Sequence, residues 1–187
     1  MNPLDAFDRA SAAVTELVSA VRDDQWALPT ACAEWDVRAL VNHLAHGNAK
    51  VAHWAGQGPP AEPGDYLGER PEEAFAESVR RVRAVLATPG LLDQEVDTPL
   101  GKATGTFLVH MRVNEYLAHG WDLADATGRS TDLLPELAEQ ALSQWQERFS
   151  AAPRGPGAPF GPEVEPAPGA TAADRLAAFL GRRPVRA

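Results

Sequence analysis

Residues 104–128 read TGTFLVHMRVNEYLAHGWDLADATG, and this stretch decides the fold. Its apolar residues recur at helical spacing, with each residue advancing about 100° around the axis. Leu108, Met111, Glu115, Ala118, His119 and Asp122 fall on one broad face. Val113, Leu117, Trp121 and Ala124 make a second, apolar face. A helix that is apolar on two sides is packed on two sides, which predicts a helix inside a bundle. The first face also carries a carboxylate, an imidazole and a second carboxylate among apolar neighbours. Ionisable groups in such surroundings are costly unless they are paired or bind a metal. Glu115 and His119 stand four residues apart, the spacing at which two side chains on one helix face reach one ion.

The rest of the chain supplies partners for this helix. A first helix is predicted over 4–22, with Phe7, Ala10, Val14, Leu17, Val18 and Val21 inward. A loop containing Pro29 follows, and its Trp26 and Trp35 are expected to plug one end of the core. Asp36 is the expected N-cap of a second helix running to about residue 56, with Leu40, Leu44, Gly47 and Val51 as its stripe. His43 borders that stripe and is the histidine expected to face inward, while His46 and His53 point towards solvent. A Gly/Pro-rich loop spans 57–70, and Pro71 opens a third helix to about residue 87, with Phe75, Val79, Val82 and Leu86 buried. Residues 91–105 read either as a short hairpin around Pro99-Leu100-Gly101 or as irregular chain. Thr104 or Thr106 then caps the long helix and Gly128 closes it. A fifth helix is predicted over 133–149. A tail over 151–169 with six prolines follows, pinned by Phe160 and Val164, and a last short helix covers 171–180. The expected fold class is all-α: a four-helix bundle with additional C-terminal helices. Residues 1–150 form the bundle, and 151–187 form a tail and short helix packed on it.

Composition narrows the function. Of 187 residues, 44% are hydrophobic and 23% charged, and the net charge is −9, which argues against a nucleic-acid surface. No apolar run approaches the ~18 residues of a membrane span, and no secretory signal pattern opens the chain, so a cytoplasmic protein is expected. The single cysteine, Cys32, excludes an intramolecular disulfide framework and reads as a small buried hydrophobe.

His43, Glu115 and His119 therefore make a candidate three-ligand metal set on two facing helices. Two imidazoles and one carboxylate suit zinc, and also iron, nickel or manganese. Three protein ligands would leave room for water and substrate. The same spacing also fits a buried polar network without metal. Asp122, three residues after His119, reads either as an acceptor that orients an imidazole or as a surface carboxylate or helix-pairing residue. Arg112 sits at the edge of the site face, either meeting an anionic substrate or lying on the helix surface. His110 lies off that face.

These residues also carry a family resemblance. Trp26, Pro29-Thr30-x-Cys32-Ala33-Glu34-Trp35-Asp36-Val37-Arg38-x-Leu40-Val41-x-His43-Leu44 and Asn114-Glu115-x-x-x-His119-Gly120-Trp121-Asp122-Leu123-Ala124 resemble the actinobacterial, metal-binding branch of the DinB superfamily. They are similar to the N-terminal domain of mycothiol-dependent maleylpyruvate isomerases. Phe160-Gly161-Pro162-Glu163-Val164 and Asp174-Arg175-Leu176-x-x-Phe179-Leu180-Gly181-Arg182 resemble a small-protein subgroup of that branch. The resemblance implies a DinB-like bundle, often a homodimer, with a divalent metal on His43, Glu115 and His119. Where whole isomerases carry a further C-terminal domain, this chain has its Pro-rich tail and one helix. Two functions follow as expectations. One is a metal- and mycothiol-dependent S-transferase or isomerase, with zinc as the expected ion and Asp122 and Arg112 as accessory residues. The other is a non-catalytic metal- or ligand-binding accessory bundle.

Overall fold

A computed structural model describes residues 2–99, 101–149, 153–155 and 161–185. Six helices and one hairpin follow in order: α1 Pro3–Ser19, α2 Val37–Trp54, α3 Pro71–Leu86, β1 Glu95–Thr98, β2 Gly101–Thr104, α4 Gly105–Thr127, α5 Pro135–Phe149 and α6 Ala172–Phe179. The fold is all-α apart from the hairpin, as the periodicity predicts.

Around the bundle α1 packs on α4 and α3, and α2 packs on α3 and α4, which closes a ring of four helices. Each helix starts where its sequence allows. Asn2 caps α1, Asp36 caps α2 through Ala39 N, and Thr104 caps α4 through Phe107 N. The residues after these caps are free to begin the intrahelical ladder, because one orphan N–H is already satisfied. Gly128 ends α4 with φ at 72°, a left-handed conformation that a Cβ would strain.

Helix α4 is the centre of the molecule. Every residue of it from 116 to 127 is buried. The two expected apolar faces are both used within the chain, by α1 and α2 and by α6, which crosses α4 and pairs with α5. Trp121 Nε1 donates to Asp174 Oδ1 at 2.8 Å, tying α4 to the start of α6. Asp174 also accepts from Thr131 Oγ1 at 2.8 Å and closes a capping box with Thr171. Val164 N donates to Ala178 O, so the tail does run back along α6 at that residue. The companion expectation for Phe160 lies outside the described residues.

Several positions differ from the wheel. Leu17, Leu40, Leu44 and Leu117 are buried, but Val79 and Met111 are only partly so, because they sit at the edge of their stripes. Helix α1 stops at Ser19 and not near residue 22, where a single 3₁₀ turn follows, and α5 starts at Pro135. The hairpin is formed: Glu95 pairs with Thr104 and Thr98 with Gly101, antiparallel. Among the described residues no helix is long and apolar enough to cross a membrane.

Candidate metal centre

The two helices that face each other across the bundle, α2 and α4, bring the three candidate ligands together. Nε2 of His43 lies 2.9 Å from Oε2 of Glu115. Nε2 of His119 lies 3.7 Å from the same oxygen, and the two imidazole centroids are 5.0 Å apart. One ligand atom from each residue lies within 4.8 Å of the other two. The i, i+4 step on α4 places Glu115 and His119 one turn apart, and His43, at the border of the apolar stripe of α2, faces them.

Around this triad the chain builds an open cleft of about 540 Å³. The loop before α2 supplies Cys32, Glu34 and Trp35; α5 supplies Trp145; the tail supplies Gly161, Gly181 and Arg182. The Trp35 ring tilts over His43 at 4.4 Å and reaches His119 at 5.6 Å, so the indole walls one side of both imidazoles.

Behind His119 lies a second layer. Its Nδ1 donates to Oδ2 of Asp122 at 2.9 Å, and Asp122 is 0% exposed. Arg182 grips that carboxylate through Nε, 3.0 Å from Oδ1 and 3.3 Å from Oδ2, and adds Nη2 at 3.3 Å. The thiol of Cys32 donates to Oδ2 at 3.3 Å. In the tautomer that keeps the proton on Nδ1, bonded to Asp122, the Nε2 atom of His119 faces Glu115 and the cleft. Asp122 is therefore not a surface carboxylate, and its bond to His119 fits both an orienting acceptor and an i, i+3 helix pair.

The electrostatics follow from these contacts. Burial alone would raise the Glu115 carboxyl. The hydrogen bond from His43 and the charges of His119 and Arg112 outweigh it and hold the group down at about 2. Burial likewise works against the charged form of Asp122, and the His119 hydrogen bond and Arg182 keep it below the ordinary carboxylate range. Cys32 moves the other way. Burial first, and the Asp122 charge second, push its thiol up to about 12, so it sits in the cleft as a neutral S–H.

Four expectations need correction. Arg112 is not a surface arginine: it is 2% exposed, and Nη2 donates to Leu44 O at 3.1 Å across to α2. Gly47 explains how it fits, since any Cβ there would collide with the guanidinium. Cys32 is half-buried on the cleft wall and not in the apolar core. His46 and His53 are only partly solvated. His46 Nε2 meets Ala61 O at 2.9 Å under a stacked Tyr66, and His53 Nδ1 meets Gly58 O at 3.3 Å, because the 57–70 loop folds back over α2. His110 is exposed. Arg182 is the residue that sequence reasoning missed as part of the site, although its motif was visible.

A four-helix ring with a hairpin before its longest helix, and with His, Glu and His gathered between α2 and α4, defines a DinB-like bundle with a metal-type donor set. The family model of the mycothiol maleylpyruvate isomerase N-terminal domain matches residues 7–124, and the chain belongs to that family. It is 40% identical over 184 residues to the uncharacterized proteins Rv0738 and MT0763 from two strains of Mycobacterium tuberculosis, a match spanning 97% of this chain and 98% of theirs. Among solved structures it is similar to crystal structures of the mycothiol-dependent maleylpyruvate isomerase. A histidine-to-alanine mutant gives a TM-score of 0.62 at 17% identity, covering 82% of this chain and 72% of that one. A second structure of that isomerase gives 0.57 at 19% identity, with the same coverage. At these identities the likeness shows the fold.

Proposed function

We propose that this chain holds a divalent cation, zinc by the chemistry of its donors, on His43, Glu115 and His119, and uses it with mycothiol as cosubstrate in an S-transfer or thiol-assisted isomerisation. The observation that carries the reading is the convergence of three donor atoms within 4.8 Å at the floor of an open cleft. The donors fit the ion. The set is two imidazoles and one carboxylate, it is one short of a closed tetrahedral site, and one imidazole is already oriented by a buried carboxylate. The family and the solved structures named for a mycothiol-dependent isomerase support the choice of thiol.

When bound, the ion supplies Lewis-acid stabilisation of an anionic sulfur or oxygen at neutral pH. The chain's own residues do the rest. Asp122 keeps the His119 proton on Nδ1 and so leaves Nε2 free to donate its lone pair. Arg182 keeps Asp122 charged and in place. Trp35 packs against both imidazoles, and Trp145 and Gly181 also line the cleft that would receive a ligand. Glu115 stays ionised, and the Nε2 proton that His43 gives to it would have to move to Nδ1, or to solvent from a protonated ring, for His43 to ligate through Nε2.

In this reading residues 151–187 act as a tail that completes the cleft through Arg182, and the protein works as a homodimer. Light scattering that returns monomer mass across a wide concentration range would remove the dimer.

The test has two arms. Zinc affinity should drop sharply in His43→Ala and in His119→Ala, with helix content unchanged, and should stay at the parent value in His46→Ala. Thiol consumption against a panel of electrophiles should then need the metal-loaded parent and stop on chelation. Parent-like zinc binding in both ligand variants would refute the centre. Zinc binding without any thiol chemistry would leave the accessory bundle as the function.

A further inference from the structure

Arg112 carries a full positive charge into the interior without lining the cleft. A buried guanidinium is costly unless its donors are satisfied. Here they are poorly satisfied. Nη2 reaches Leu44 O, the guanidinium lies over the Tyr116 ring at 4.8 Å, and Nε finds no hydrogen-bond partner. Of the polar side chains nearby, the Tyr116 hydroxyl lies within reach of the guanidinium but spends its own proton on Asn48. Tyr116 donates to Asn48 at 2.8 Å, and Asn48 donates to Ser78 at 2.9 Å. Among the described residues the carboxylate paired with Arg112 is Glu115, whose Oε2 is 3.9 Å from Nη1. On α2, Gly47 gives up its side chain to leave room. A neutral residue would fill this space at less cost, so the charge itself needs a reason.

The charges around the centre suggest one. Arg182 matches Asp122, and Arg112 matches Glu115, the carboxylate among the three candidate ligands. The imidazoles are neutral when they act as ligands. Glu34, the remaining carboxylate on the cleft wall, is exposed and screened by water. A divalent ion on the triad would therefore keep its two positive charges almost undiminished.

We propose that Arg112 is a fixed counter-charge that makes the centre favour small anionic outside ligands, at the expense of holding its own cation less tightly. This rests on the metal reading above. It makes Arg112 a positioning and electrostatic residue that never touches the ligand. It also separates Arg112 from a structural arginine, because the two affinities must move in opposite directions when the charge is removed.

The experiment uses cobalt(II) in place of zinc, with azide as the anionic probe followed by visible absorption, and a chromophoric chelator as competitor for metal affinity. Arg112→Met should bind cobalt about tenfold more tightly and azide about tenfold more weakly, as expected for losing one unit charge at this range. Arg112→Lys should stay near the parent in both. If Arg112→Met loses the parent's helical circular dichroism, Arg112→Gln carries the same comparison, since it is neutral and can still donate to Leu44 O. Variants that weaken both affinities together, or leave azide binding unchanged, overturn the proposal while the metal centre stands. A parent that takes up no cobalt overturns both.

Discussion

Replacing Arg182 with methionine tests whether the tail is part of the site or merely lies on it. The substitution keeps most of the apolar stem and removes the guanidinium from Asp122, which is 0% exposed, while Arg182 itself is 12% exposed. Removing one partner of a buried ion pair costs about 3–5 kcal/mol, because the other charge is stranded. Asp122 would not be wholly stranded. It keeps the His119 Nδ1–H at 2.9 Å and the Cys32 thiol at 3.3 Å, and a loosened tail would admit water. The expected loss therefore falls at or below the low end of that range, about 2–3 kcal/mol. For a chain of this length each kcal/mol moves the melting temperature by about 2–4 °C, so Arg182→Met should melt about 4–12 °C below the parent. Asp122→Asn and the double variant complete a cycle at pH 7, followed by calorimetry. The double variant should be markedly less destabilised than the sum of the singles, since the pair is lost only once. A melt within about 1 °C of the parent, or strict additivity, would show that Arg182 contributes nothing through Asp122.

Three further outcomes are expected. Glu115 and Asp122 both have folded-state values below their ordinary ones, so their contribution is full above the unfolded carboxylate range of about 4 and is lost as the pH falls through the folded values; the urea midpoint should drop between pH 5 and pH 2, and a flat profile there would contradict the shifts. Cys32, held as a thiol by burial and then by Asp122, should alkylate about 100-fold more slowly than a free cysteine at pH 8 by mass spectrometry, and Asp122→Asn should speed it; a fast parent reaction would contradict the burial. Asp174→Ala removes the acceptor for Trp121 and Thr131 and opens the Thr171 capping box, and should lower the unfolding free energy in urea by about 2 kcal/mol; a parent-like midpoint would mean that these bonds do not hold α6.

The sequence made α4 plain because one element carried every cue: two apolar faces, a capping threonine and a closing glycine. The triad was legible for the same reason. Glu115 and His119 are local to each other, and His43 needed only the angular order of α2. What was hidden depends on contacts that no helical wheel contains. Arg182 reaches Asp122 across 60 positions in the chain, and no period links them. His46 and His53 point away from the core on a wheel, yet the following loop returns to cover them. Arg112 lies where two helices touch, and its burial depends on a missing side chain in the other helix. Gly47 within an otherwise apolar stripe was the signal that something large lies opposite it.

The closure of α4 on every side also sets the order in which the molecule can come apart. Amide hydrogens from 116 to 127 sit beneath α1, α2 and α6 and can exchange with solvent only when those covers lift, so they should exchange at the rate of global opening. The covers are less equal. The described tail after α6, to residue 185, is anchored chiefly by Arg182 on Asp122 and Val185 N on Asp125 at 2.7 Å, and it should open well below the global unfolding free energy. The cleft therefore loosens from the tail inward. His119 stays on the most protected segment of the chain, and its outermost support is the first to leave, so the centre can be uncovered many times for each time the fold is lost.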